Sequence, residues 1–414
     1  MRNGGRKESP KISEVDLQVE LRSWVSANWS TDITVREWWR RLADAGLTAP
    51  TWPAPYGRGL SGGEARLVTE ALAEVGAISP PQGAVGARLA GPTLLIHGNE
   101  EQRARYLPPL LRGEESWCQL FSEPGAGSDL PSLATKAIED GDGWSIEGQK
   151  VWNSGADIAR RGLLLARTDP AAPKRNGITY FVLDMDQPGV EARPLRQMND
   201  ETRFCEVFID GARVGAEDVL GAVNDGWRVV RTTLGFERAS VSGRAAPGLV
   251  PVNSGEKAGH LDRTVSDVLA SRHAGAPFTG NAIPVRRLID LARERGRTGD
   301  AVMRQGLARY HSLVEVNRYT QLRIRAASAE GRTPGAEASI TKLAVSDICR
   351  TSRDVSFSIL GAEAMLWGTD APYGGSVQTV GLASCGVSIG GGTDEVQRNT
   401  IAERALGLPR DAET

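Results

Sequence analysis

Long apolar runs are missing from this chain of 414 residues. No window stays apolar for the ~20 residues that a membrane-spanning helix needs, so no membrane span is expected. An excess of charge of either sign is missing too. The 49 Lys and Arg stand against 51 Asp and Glu, a net charge of -2. Such a chain sets up no global field for nucleic acid or an anionic membrane, and no nucleic-acid partner is expected. Cysteine and histidine are scarce. Cys118, Cys205, Cys349 and Cys385 lie too far apart for a zinc or redox pair and read as reduced, mostly buried thiols. His97, His260, His273 and His311 are equally scattered, which argues against a His-based metal site. The start, Met1 to Lys11, is polar and basic without the apolar stretch of a secretory signal. The expected location is the cytoplasm.

What is present has the profile of a soluble globular protein, with 24% charged and 40% hydrophobic residues. The length asks for two or three domains. The first third reads as helical. "TVRE", Thr34 to Glu37, has the form of a capping box, and Trp38, Trp39 and Leu42 follow on one face. Leu67, Ala71, Leu72 and Val75 make a second stripe, and Asn99 reads as an N-cap. After Trp117 the pattern changes to short β-rich runs separated by turns, such as "GWSIEGQKVW", "GITYFVLDMD" and "CEVFIDGARV". From Asn224 the signals are helical again. Met303, Leu307, Tyr310 and Val314 share a face, as do Ile340, Ala344, Ile348, Val355 and Ile359. The expected class is α+β: a helical domain at 12–118, an antiparallel β domain at 119–222 and a helical bundle at 223–410. A Gly/Pro-rich stretch at about 246–284 reads as a long loop inserted in the bundle. The absence of alternating β and α units, and of Gly-x-Gly-x-x-Gly after an early strand, argues against a dinucleotide fold.

Three stretches carry chemistry. "FSEPGAGSDL", Phe121 to Leu130, exposes backbone N–H groups and a hydroxyl that suit an anion such as pyrophosphate. Alone it reads rather as an ordinary Gly-rich turn. "GQKVWNSGA", Gly148 to Ala156, puts Trp152 beside small polar residues, which suits a planar ring; alone, Trp152 reads as core. "IGGGTDEVQRN", Ile389 to Asn399, places three glycines before an acidic pair.

Taken together, and with "GLTAPTWPAPYGRGLS", "EEQRARYLPPLLRGEESWCQLFSEPGAGSD" and "GGGTDEVQRNTIAERALG", these motifs resemble the acyl-CoA dehydrogenase family over nearly the whole chain. The resemblance implies an N-terminal helical domain, a middle β domain and a C-terminal four-helix bundle. It implies FAD bound in extended form. Ser122 would meet the flavin pyrimidine edge and Ser154 the flavin N5. Gly127 and Ser128 would face the pyrophosphate, and Trp152 the ring system. Thr393 and Glu395 would lie toward the ribose and adenine side, on this subunit's or a neighbour's FAD.

The reaction so implied is α,β-dehydrogenation of an acyl-CoA thioester, in which a carboxylate takes the α-proton and the flavin takes the β-hydride. Many family members carry that glutamate just before the Gly-Thr of the closing motif; here the position is Gly391. Others carry it on the first bundle helix, directly before an arginine, and "LGFERAS" matches with Glu237 and Arg238. Glu237 is the expected base, with Arg238 and Gly391 on the substrate side. Asp394, Glu395 and Glu363 rank below it. Two segments depart from the family: "ERGRTGDAVMRQ", Glu294 to Gln305, lacks the usual Phe-Gly, and "SILGA" has Ser358 where Gln is usual. Their loss is consistent with a heteromeric assembly. The resemblance further implies an electron-transferring flavoprotein as acceptor and a homo- or hetero-tetramer. Two alternatives stand beside it: a flavin monooxygenase or oxidase acting on a non-CoA substrate, and a companion subunit that completes a partner's site.

Overall fold

The computed structural model describes residues 13–81, 85–241, 248–271, 280–329 and 337–409. In chain order the helices begin with α1 (Glu14–Asn28), α2 (Val35–Asp44) and α3 (Gly62–Glu74). A π-helical stretch, Gly86–Ala90, leads into α4 (Gly91–His97), and α5 (Glu100–Leu111) follows. The strands are β1 (Trp117–Leu120), β2 (Lys136–Asp140), β3 (Gly143–Ser154), β4 (Arg161–Arg167), β5 (Ile178–Asp184), β6 (Val190–Leu195) and β7 (Phe204–Gly215). Then come α6 (Gly226–Val241), α7 (Val265–Ala270), α8 (Val285–Glu294), α9 (Ala301–Ala329), α10 (Glu337–Leu360), α11 (Ser376–Val387) and α12 (Asp394–Arg404). Among the described residues no helix is long and apolar enough to cross a membrane.

The chain divides into two compact units. Among the described residues, the first comprises 13–81, 85–117, 158–160 and 248–271. Its core is built on α2, whose Trp38, Trp39 and Leu42 are fully buried together with Leu17, Leu21 and Leu72. Both indoles find acceptors: Trp38 donates to the Ile78 carbonyl (3.2 Å) and Trp39 to the Ser79 carbonyl (2.9 Å). Thr34 caps α2 by accepting from the Glu37 N–H, but only half of the expected capping box forms. The Glu37 carboxylate turns instead to Arg40 and Arg41, because two guanidinium groups hold an anion better than one backbone N–H. At α5 the box with Asn99 and Gln102 is complete.

The Gly/Pro-rich stretch corrects the sequence reading. Residues 246–247 and 272–279 lie outside the described residues. Residues 248–271 are not an insertion in the bundle; they belong to the first unit and contribute to its core. Val252, Leu261, Val265 and Val268 are buried in the same cluster as Trp38. The backbone is stitched in as well, with Val35 N–H donating to the Arg263 carbonyl (3.0 Å) and Arg36 N–H to the Leu261 carbonyl (2.9 Å). Apolar side chains spaced to fit a preformed surface show no helical or strand period, so periodicity could not find them.

The second unit holds the sheet and the bundle. The sheet order is β1-β4-β2-β3-β7-β6, with β5 paired to β4. Strands β2 and β3, β3 and β7, β4 and β5, and β6 and β7 pair antiparallel, while β2 and β4 run parallel. Strand β5 is buried on both faces, which explains its continuous apolar run. Helix α6 begins hard against that strand. A Cβ at Gly226 would sit 2.7 Å from the Tyr180 backbone nitrogen, so only glycine allows the approach. One turn before Glu237, Thr233 meets the buried Tyr180 hydroxyl at 3.1 Å. In the bundle, Met303 and Tyr310 of α9 pack against Ile348, Val355 and Ile359 of α10, as their spacing predicts. Ile340 does not follow its stripe and is 43% exposed. The first half of α10 instead turns Thr341, Lys342 and Ser346 inward.

Candidate active site

Strand β3 does not run straight. Its register with β7 shifts between Lys150 and Asn153, which frees Val151 and Trp152 from the ladder. The bulge re-aims the strand toward the segment after β1, and the two are laced side by side. Val151 N–H donates to the Ser122 carbonyl (2.9 Å). Lys150 Nζ donates to the Phe121 carbonyl (3.1 Å), and Asn153 Nδ2 to the Gln119 carbonyl (2.7 Å). This lacing brings Ser122, Trp152 and Ser154 into one neighbourhood.

Trp152 is not a core residue. It lies on the bulge at φ +63° and is 61% exposed, edge-on to Phe204. A bulky side chain in the left-handed region is strained, and such strain gathers where a ligand is clamped. Ser154 is exposed at the end of β3, while Asn153 beside it is buried with no hydrogen-bond partner at Oδ1.

The loop from Ser122 to Ser128 is held from below. Glu123 is buried and accepts from the N–H groups of Ala134 (2.6 Å) and Thr135 (2.9 Å). Lys150, fully buried, completes the pair at 2.8 Å. Burial pushes the Lys150 amine down to about 8 against the pull of Glu123. Burial alone would raise the Glu123 carboxyl, but Lys150 and the hydrogen bonds from Thr135 and Ala134 outweigh it and hold the group below the usual range. With Glu123 facing inward, Gly125, Gly127 and Ser128 are left exposed, and a Cβ at Gly127 would meet nothing within 4 Å. The loop therefore offers open backbone to a ligand. Sequence reasoning gave Glu123 and Lys150 no role. Counting by twos from Trp144 and Ile146 places Lys150 on the inward face, and that was the available signal.

Glu237 stands on α6 and is partly buried. Gln119 of β1 donates from Nε2 to Glu237 Oε2 at 3.1 Å. Through Gln119 and Asn153, the glutamate is joined to the strand that carries Trp152 and Ser154. The side chain of Arg238 lies outside the described residues.

The closing motif folds differently from a reserve of catalytic carboxylates. Asp394 is buried and accepts from Lys342 Nζ (2.9 Å), Ser346 Oγ (2.7 Å) and Arg350 Nη1 (2.8 Å). Burial alone would raise its pKa; the bonds from Lys342, Arg350 and Ser346 overcome that and hold it at about 2. An anion so held is no proton acceptor near neutrality, which removes Asp394 from the candidates. Glu363 is paired with Arg295 at 2.6 Å, and Glu395 is an exposed residue paired with Arg398 at 3.2 Å. Thr393 caps α12 by accepting from the Val396 N–H at 3.3 Å. Gly391 lies at φ +67°. A glutamate introduced there would be strained, so the position suits glycine for its backbone and not only for space.

Three family models match the chain in order: the acyl-CoA dehydrogenase N-terminal domain over residues 17–114, the middle domain over 118–212 and the C-terminal domain over 280–406. Acyl-CoA dehydrogenase FadE34 of Mycobacterium tuberculosis (strain ATCC 25618 / H37Rv) is 40% identical over 376 residues. The match covers 89% of this chain but 46% of that protein, so this chain spans about half the relative's length. Acyl-CoA dehydrogenase IpdE1 of the same organism is 36% identical over 420 residues, covering 96% of this chain and 98% of that protein. Among solved structures, the Tcur3481-Tcur3483 steroid ACAD matches with a TM-score of 0.70 and 27% identity over 96% of this chain and 98% of that one. The ChsE4-ChsE5 complex from Mycobacterium tuberculosis matches with a TM-score of 0.67 and 26% identity, over 98% of this chain and 100% of that one.

Proposed function

The chain belongs to the acyl-CoA dehydrogenase family of FAD-dependent oxidoreductases acting on CH–CH bonds, and from that premise we propose that it dehydrogenates a bulky, ring-bearing acyl-CoA thioester with Glu237 as the base. The observation that carries the assignment is the bond between Gln119 and Glu237, which joins that carboxylate to the Ser122, Trp152 and Ser154 neighbourhood. The rival carboxylate Asp394 is already committed to two cations.

The residues present fit FAD. Trp152 offers an exposed aromatic face held in a strained backbone, and Ser122 and Ser154 stand near it with hydroxyls. The open backbone around Gly127 and Ser128 suits the pyrophosphate. When bound, FAD supplies the hydride acceptor. Glu237 removes the α-proton, whose weak acidity calls for a positioned base. Gly391 adds no side chain that would compete for that proton.

A ring-bearing acyl group is supported by the likeness to the steroid ACAD, and a two-chain assembly by the likeness to a complex of two named chains. Ser358, in place of the family's usual glutamine, fits a chain that leaves part of the cofactor contact to a partner. We assign the acceptor role to an electron-transferring flavoprotein and the assembly to a tetramer on the same family grounds.

The test is anaerobic addition of CoA thioesters to the flavin-loaded protein. Ring-bearing thioesters are expected to bleach the flavin. Failure of short, long, branched and ring-bearing thioesters alike would overturn the dehydrogenase reading. Glu237→Gln is expected to keep fold and FAD and to slow bleaching by roughly 10²–10⁴. A fully active Glu237→Gln protein would move the base elsewhere.

A further inference from the structure

We propose that Lys150 is the positioning residue for the flavin end of the site: its amine fixes the backbone at Ser122 and so aims that hydroxyl. The inference rests on the reading of Ser122 as the residue at the flavin pyrimidine edge. The direction of a side chain is set by the two peptide planes on either side of its Cα. Both planes at Ser122 are held, and by consecutive residues of β3. The plane before it carries the Phe121 carbonyl, which accepts from Lys150 Nζ at 3.1 Å. The plane after it carries the Ser122 carbonyl, which accepts from the Val151 N–H at 2.9 Å. Lys150 also reaches past Ser122 to Glu123 Oε1 at 2.8 Å. One amine thus brackets the serine. The chain beyond closes on itself, Glu123 and Ala126 exchanging backbone bonds of 3.0 and 3.1 Å.

The anchor is fixed from its own side. Lys150 faces Val207 in the last regular pair before the bulge, and its side chain is fully buried. Trp152 leaves the ladder two residues later. The residue for the flavin ring and the residue for its edge therefore take their places from a single stretch of β3, and a ligand that touches both meets a preset spacing. A buried charge is a costly way to hold a loop, and an apolar side chain of similar volume would pack as well. What the apolar side chain could not do is donate to the Phe121 carbonyl.

The experiment compares two proteins that both lack the buried charge pair. In Glu123→Gln the carboxylate that holds the amine's pKa up is gone, so the buried amine is expected to lose its proton near neutrality and still to donate to the Phe121 carbonyl. Adding Lys150→Met to Glu123→Gln removes that donor in a side chain of similar length. The first readout needs no flavin: hydrogen exchange at the Val151 amide, followed by mass spectrometry of the full chain freed of flavin. Adding Lys150→Met is expected to speed exchange there by roughly tenfold, the worth of one hydrogen bond, while exchange across β4 and β5 stays as it was. The second readout is FAD affinity, titrated into the same proteins. It is expected to fall by roughly tenfold, because the serine must then be ordered on binding, and the visible spectrum of the bound flavin is expected to change with it. Either an unchanged Val151 amide or an unchanged FAD affinity would overturn the proposal. So would faster exchange spread evenly over β4 and β5, which would mean that Lys150 serves stability alone. Ser122→Ala leaves Lys150 untouched and tests the underlying reading. Unchanged FAD affinity and flavin spectrum in that protein would remove Ser122 from the flavin edge, whatever Lys150 does to the loop.

Discussion

The loop after β1 and the loop before α12 are both glycine-rich, both largely exposed, and each has one carboxylate turned into the interior. They differ in what receives it. Glu123 meets one cation, Lys150, and the backbone N–H groups of Ala134 and Thr135, just before β2. The Asp394 carboxylate accepts from three side chains, Lys342, Ser346 and Arg350, all on α10. The first carboxylate therefore ties a loop to the backbone of its own sheet and leaves the loop's outer face rigid and open. The second fastens one helix to another. A further difference lies in the glycines. Gly125 and Gly127 are not in the left-handed region, whereas Gly391 and Gly392 sit at φ +67° and +87°. In the first loop glycine provides bare backbone; in the second it provides a turn. Acidic residues inside a glycine motif are thus not evidence of acid–base chemistry, and in this chain both serve the frame.

The comparison breaks most visibly if the buried pair at the first loop is weak. Lys150→Met leaves Glu123 buried without its cation and is expected to cost about 3–5 kcal/mol of stability in urea unfolding. Adding Glu123→Gln to it is expected to recover part of that, because no uncompensated charge is left. A Lys150→Met protein as stable as the parent would show that the loop is held by its backbone bonds alone.

Asp394→Asn is expected to cost less, about 2–3 kcal/mol near neutral pH, since an amide still accepts from Ser346 or a cation. Its pH dependence gives the sign. The folded pKa of Asp394, about 2, lies below the ordinary aspartate value. The unfolded chain therefore binds the extra proton first as pH falls. The parent's advantage over Asp394→Asn is expected to be complete above pH ~4 and to shrink as pH falls toward about 2. Parallel stability curves for the two proteins across that window would contradict the charge assignment.

The smallest effect separates the two uses of glycine. Gly391→Ala is expected to cost about 1–2 kcal/mol through its left-handed backbone. Gly127→Ala is expected to change stability by less than ~0.5 kcal/mol, because nothing opposes the added methyl. Its effect is expected instead on FAD retention, read from the flavin-to-protein absorbance ratio. Equal stability losses at the two positions would erase the distinction.

The order of helices, sheet and bundle was legible in the sequence because each has its own period. So were the stripes of Trp38, Trp39 and Leu42 and of Met303 and Tyr310, whose faces are buried. Ile340 misled because α10 turns polar residues inward where it meets Asp394, and burial of a satisfied charge leaves no apolar trace. The stretch around Leu261 and Val265 was misassigned because it is shaped by a surface built from residues far away in the chain. At the site, Trp152 and the serines were legible as motif members. The bulge that exposes Trp152 was not, since it depends on which β7 residue faces which β3 residue. Gln119 was invisible for the same reason: it is separated from Glu237 by 118 positions, and an isolated glutamine in a short strand announces nothing.

The contact at Gly226 sets a rule for anyone who would redesign this molecule. The first residue of α6 touches the backbone of β5 so closely that the helix has no slack at its origin. A helix seated in this way behaves like a machined part pressed against a stop: it cannot be shimmed outward by a larger neighbour or slid along the strand by a rearranged loop. On the proposed reading of Glu237 as the base, new acyl groups are expected to be accommodated by exchanging individual side chains, with Glu237 staying where the stop has put it. Diversity in such a scaffold comes from the lining, and the frame is inherited unchanged.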